Sequence, residues 1–124
     1  MKKILIVSND LALLQTLDNQ LTALGFTMDT MKAQEEMLNR IKAEKPNILL
    51  IDFILGDANA AAVCHQVTSD PDLHNLPVVV LSDLPGIDQL AARIGIFAVI
   101  KKPMRITELV ENIIAALKEQ QRSA

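Results

Sequence analysis

A chain of 124 residues, half of them apolar, has the length of one domain and enough apolar surface to bury a core of its own, which excludes a multidomain enzyme. Twelve Lys and Arg stand against fifteen Asp and Glu, a formal charge of −3 and the wrong sign for a surface that must neutralise many phosphates. Three Phe with no Tyr or Trp also leave few platforms for stacking bases, so direct nucleic-acid binding is disfavoured on both counts.

The single Cys64 cannot close an internal disulfide or build a cysteine metal cluster, and the start MKKILIVSND turns polar before a signal-peptide core develops. No apolar run approaches the roughly 18 residues of a membrane helix. The expectation is a cytoplasmic protein with no membrane contact.

In chain order, Lys3 to Val7 is an apolar run suited to a strand covered on both faces. Leu14, Leu17, Leu21 and Leu24 then repeat with the helical period and stop at Gly25, a C-terminal cap. Phe26 to Met31 alternates as an edge-leaning second strand, and Ala33 to Glu44 is a second helix. Asn47 to Ile51 is another fully apolar run, followed by a third helix over Ala58 to Ser69. Val78 to Leu81 makes the fourth strand, Ile87, Leu90, Ala91 and Ile94 a short helix ending at Gly95, and Ala98 to Ile100 the fifth strand. Leu109, Ile113, Ile114 and Leu117 mark the fifth helix, and Lys118 to Ala124 is polar.

Strand and helix thus alternate five times. Each amphipathic helix must cover one side of a sheet, so this order predicts an α/β fold: a single-domain, doubly wound, five-stranded parallel sheet of flavodoxin-like (βα)5 type, spanning 1–121 with a polar tail at 122–124. Ligands of such folds sit beyond the carboxyl ends of the strands. The residues there are Ser8, Asn9 and Asp10, then Asp52, then Ser82 and Asp83, then Lys101 and Lys102.

Asp52, Ser82 and Lys102 therefore converge on one sheet edge, where a carboxylate could take a phosphoryl group, a hydroxyl bond its oxygens and an ammonium neutralise them. At these residues, and in the stretches KKILIV, Asn47 to Asp52, Pro77 to Ser82 and Lys102-Pro103, the chain resembles the receiver domain of two-component response regulators over nearly its whole length. The resemblance puts the phospho-acceptor on Asp52, the switch hydroxyl on Ser82 and the phosphate-facing lysine on Lys102. It implies a signalling module rather than an enzyme, with signalling proteins such as a histidine kinase as partners.

The departures from the family pattern are specific. Where the family carries two adjacent acids that hold Mg²⁺, this chain has Ser8 and Asn9; where it places an aromatic reporter, this chain has Val99; and Asp83 follows the switch hydroxyl. Three carboxylates and one lysine would leave about −2 for a hard cation to neutralise, whereas Asp52 and Lys102 sum to zero. At about 4 Å and an effective dielectric near 20, each missing unit-charge pair is worth roughly 4 kcal/mol before desolvation. The expectation is no resident cofactor, with Mg²⁺ binding weak or lost.

Plainer readings stand beside these. Asn9 and Asp10 suit the cap of the first helix and Asp57 that of the third, Ser82 could be a turn hydroxyl, and Asp52 could form a purely structural ion pair with Lys102. Lys101 should face away from Lys102 into solvent, His65 and His74 belong on the surface, and Cys64 in the core. Phe97 and Ala98 stand where the family usually has acids and with Val99 make an apolar strip, a docking surface for a partner or a second copy. The leading reading is an atypical receiver that works mainly through protein contacts. An ordinary phospho-accepting receiver is the alternative, and a flavin or nucleotide binder ranks lower because Val7 to Leu11 has no Gly to cradle a phosphate.

Overall fold

Runs that are apolar at every position must be covered on both faces, and the computed structural model shows how this chain does it. The structure describes residues 2–31, 37–52, 60–73, 75–82, 87–102 and 105–123. Its elements are β1 (Lys3–Val7), α1 (Leu11–Ala23), β2 (Thr27–Met31), α2 (Met37–Glu44), β3 (Ile48–Asp52), α3 (Ala60–Ser69), β4 (Val78–Ser82), α4 (Ile87–Ile94), β5 (Ala98–Lys101) and α5 (Ile106–Ser123). The strands lie in the order β2-β1-β3-β4-β5, all parallel. This is the doubly wound α/β sheet expected from the alternation of strands and helices. Asp57, His74, Asp83 and Pro103 lie outside the described residues, as do the first residues expected of the second and third helices.

The two-residue period of a strand divides the apolar runs between two cores. Leu5, Val7, Leu49, Ile51, Val78 and Val80 point to one side and meet Ile41 of α2, Cys64 and Val67 of α3 and Ile87 of α4. Ile4, Ile6, Ile48, Leu50, Val79 and Leu81 point to the other and meet Leu14, Leu17 and Leu21 of α1 and Leu109, Ile113 and Ala116 of α5. β1, β3 and β4 are interior strands buried almost throughout, whereas the edge strands β2 and β5 keep exposed positions.

Both glycines expected to stop helices do so. Gly25 sits at φ 97°, donating to Thr22 O while the Phe26 N–H reaches Leu21 O, the paired bonds that close a helix C-terminus with a left-handed residue. Gly95, at φ 86°, ends α4 in a similar way, with its N–H and that of Ile96 both on Ala91 O.

Two apolar positions fall elsewhere than the periodicity implies. Leu24 is 57% exposed because α1 ends at Ala23 and the chain turns away there, and Ile114 is 42% exposed because it lies on a flank of α5 rather than on its sheet-facing side. α5 continues through the polar segment after Leu117 to Ser123.

Cys64 is fully buried against Val67 and the strand side chains, and burial alone pushes its thiol up to about 12. At pH 8 the folded protein then holds roughly one thiolate in ten thousand molecules. Alkylation followed by mass spectrometry should find Cys64 unmodified in the native protein and fully modified in denaturant; fast native labelling would place it at the surface.

Candidate functional site

Parallel strands bring their carboxyl ends to one edge, and the polar residues of the core gather there. Among the described residues, the buried polar side chains are those of Ser8, Asp52 and Ser82, at the ends of β1, β3 and β4. Buried polar groups require partners. No buried side-chain nitrogen or oxygen among the described residues lacks one.

Asp52, only 2% exposed, has each carboxylate oxygen bound. Lys102 Nζ donates to Oδ1 at 2.8 Å, and Ser8 Oγ donates to Oδ2 at 2.9 Å. Lys102 follows β5 and is itself held by a bond from its N–H to Ser82 O at 3.1 Å. Ser82 ends β4 in register with Lys101, so it belongs to the strand and is not a turn hydroxyl. The structure thus places Ser8, Asp52, Ser82 and Lys102 at a single edge, with one negative and one positive charge in direct contact.

Ser8 does more than occupy a position where acids were expected. Its N–H reaches Met31 O at 3.0 Å, and its hydroxyl, besides donating to Asp52, accepts the N–H of Asp10 at 3.0 Å. Asp10, not Asn9, is the cap of α1: its Oδ1 accepts the Leu13 N–H at 3.1 Å and its carbonyl the Leu14 N–H at 3.0 Å. Asn9 is exposed beside it. A serine at the end of an otherwise apolar strand was the available signal for the Ser8 to Asp52 bond, since burial compels a hydroxyl to find a partner.

A hard divalent cation takes about six or more oxygen ligands and favours carboxylates. Asp52 is the one buried carboxylate among the described residues, both its oxygens are engaged, and no group of three or more His, Cys, Asp or Glu among them could hold a metal. Among the described residues, then, this edge offers a divalent ion one carboxylate and the hydroxyls of Ser8 and Ser82.

The apolar strip divides. Phe97 is 38% exposed and precedes β5, while Ala98 packs toward α1 and α5 and Val99 toward the opposite core, as adjacent strand residues must. The three side chains therefore do not form one continuous surface. Lys101 is exposed and pairs with Asp88 of α4 at 3.7 Å, facing away from Asp52 as expected, and His65 is on the surface.

The family model for the response regulator receiver domain matches residues 4–114. Among individual proteins, the chain is 26% identical, over 99% of its length, to the probable transcriptional regulator ycf27 of Guillardia theta, and 27% identical, over 94%, to the response regulator MprA of Mycobacterium ulcerans. It spans about half the length of each, 48% and 50%. A CheY-like receiver domain protein from Methanospirillum hungatei superposes with a TM-score of 0.90 at 24% identity, covering 100% of this chain and 99% of the other. CheY4 of Vibrio cholerae superposes at 0.84 with 16% identity, covering 94% and 98%.

Replacing one member of a buried pair strands the other. Asp52→Asn should lower stability by about 1 to 3 kcal/mol, toward the lower end for a stranded charge because Lys102 is 24% exposed and can turn to water. A fall in the denaturant midpoint at constant slope is expected; a rise would mean that Asp52 is repelled in its site rather than paired.

Proposed function

The chain belongs to the response regulator receiver domain family, and we propose that within two-component signalling it is an atypical member, working mainly through protein contacts with weak or no Mg²⁺-dependent phosphorylation. The observation that carries this reading is the closed environment of Asp52, a buried carboxylate neutralised by Lys102 on one oxygen and bonded by Ser8 on the other. A phosphoryl acceptor must present a lone pair to phosphorus and have the developing charge spread by cations. Here the only cation in direct contact with the carboxylate among the described residues is Lys102, already committed to Oδ1. Attack by either oxygen would use a carboxylate whose electron density is already drawn toward Lys102 or the Ser8 hydroxyl, which lowers its nucleophilicity.

Ordinary phospho-acceptance remains the second reading, and the juxtaposition of Asp52 and Lys102 at the strand ends is what favours it. Lys102 could neutralise an entering phosphoryl oxygen and the Ser8 hydroxyl could donate to another. Either way the partners proposed are signalling proteins, a histidine kinase among them. Regulation of transcription belongs to the longer relatives that carry that name.

Two measurements bear on this reading. Millimolar Mg²⁺ should leave the amides of Ser8, Asn9 and Asp52 little changed in NMR titration, and acetyl phosphate with Mg²⁺ should add no stable mass at Asp52. Saturable binding well below a millimolar dissociation constant, or stoichiometric phosphorylation, would return the chain to the ordinary receivers.

The contact surface proposed is centred on Phe97 beside the start of β5, the strand whose other end carries Lys101 of the exposed Asp88 to Lys101 pair. Covering the rest of this ring adds about 1 kcal/mol of apolar burial, part of the 1.5 to 3 kcal/mol for a whole Phe. Association through it, with a partner or a second copy, should persist at high salt and fall with Phe97→Asp in sedimentation. Loss at high salt in the parent protein would assign the contact to charges instead.

A further inference from the structure

Both oxygens of Asp52 lead to the same place. Oδ1 is held by Lys102 Nζ, and Oδ2 accepts from Ser8 Oγ, which accepts in turn from the N–H of Asp10, the cap of α1. Asp10 and Lys102 stand together on a groove of about 370 Å³ between α1 and α5, with Leu13, Leu17, Gln20 and Ile106 behind them. We infer that Ser8 is a positioning residue through which the chemical state of Asp52 is transmitted to the N-terminus of α1 and to this groove.

Counting donors and acceptors shows why Ser8 must respond. Its hydroxyl has one proton and two lone pairs: the proton goes to Asp52 and one lone pair takes the Asp10 N–H. Its backbone is fixed by the bond to Met31 O, and it is fully buried, so the hydroxyl can rotate but cannot reach solvent. Lys102 carries only donors, so it can bond its neighbour only through an acceptor oxygen or else turn to water. While it keeps that oxygen, any change at Asp52 that removes an acceptor falls on the Ser8 side. In Asp52→Asn the amide oxygen turns to Lys102 and the NH₂ to Ser8, which must then accept two bonds and redirect its own proton. The Asp10 N–H then shares the Ser8 oxygen's two lone pairs with the new donor, and the reoriented hydroxyl shifts the cap with it. The coupling needs neither metal nor phosphoryl transfer, so it stands apart from the proposed function.

Amide NMR spectra of the parent chain, Asp52→Asn, Ser8→Ala and the double variant test this. Asp52→Asn should move the Asp10 and Leu13 amides in the parent background, and that response should be lost with Ser8→Ala and kept with Ser8→Thr, which retains the hydroxyl. Denaturant midpoints of the same four proteins should be non-additive, as for any pair in direct hydrogen-bond contact, so the Asp10 and Leu13 amide shifts are the readout that separates transmission from a purely structural Ser8. Equal Asp10 shifts with and without the hydroxyl would overturn the inference. If Ser8→Ala does not fold, Ser8→Cys, a weak donor of similar size, takes its place with the same two outcomes.

Discussion

A carboxylate buried at the end of the middle strand constrains the whole carboxyl edge of this sheet. Left alone, a charge so far from water would cost several kcal/mol. Two partners prevent that, and each dictates where another strand must stop. Ser8 is the first residue past β1, which pairs with β3 through Val7 and Ile51, so its hydroxyl arrives beside Asp52 from the adjacent strand. Lys102 is the first residue past β5, two strands away, and it spans that gap because its side chain is long and its backbone is tied to Ser82 on the intervening β4.

How these partners come together is a property of parallel topology more than of local sequence. Asp52, Ser82 and Lys102 are widely separated along the chain, yet the order of apolar runs by itself places all three at one edge. That step was legible because fully apolar strands demand cover on both faces, and alternating helices can supply it only in a doubly wound sheet. The split of Leu5, Val7 and Leu49 from Ile4, Ile6 and Ile48 follows from the same two-residue period.

What the sequence concealed was local and chemical. Helical periodicity marks an apolar stripe but not its width, so Leu24 and Ile114 were grouped with the buried leucines and isoleucines although one lies past the helix end and the other on a flank. Ser8 was legible only as a missing acid. Its bond to Asp52 depends on a side-chain rotamer and on the exact path into α1, which pattern reading does not resolve.

The same edge also separates two kinds of surface with one residue step. Lys101 and Lys102 are neighbours at the end of β5, yet the first turns outward to Asp88 on α4 and the second inward to Asp52. The Lys102 N–H is bonded to Ser82, and Ser82 is in register with Lys101, so a displacement of the Lys102 backbone would be felt at the inner site and on the outer α4 and β5 face alike. On the other side, Ser8 joins Asp52 to the cap of α1. One buried carboxylate is thereby tied to both flanks of the sheet, directly through Lys102 and by way of Ser8.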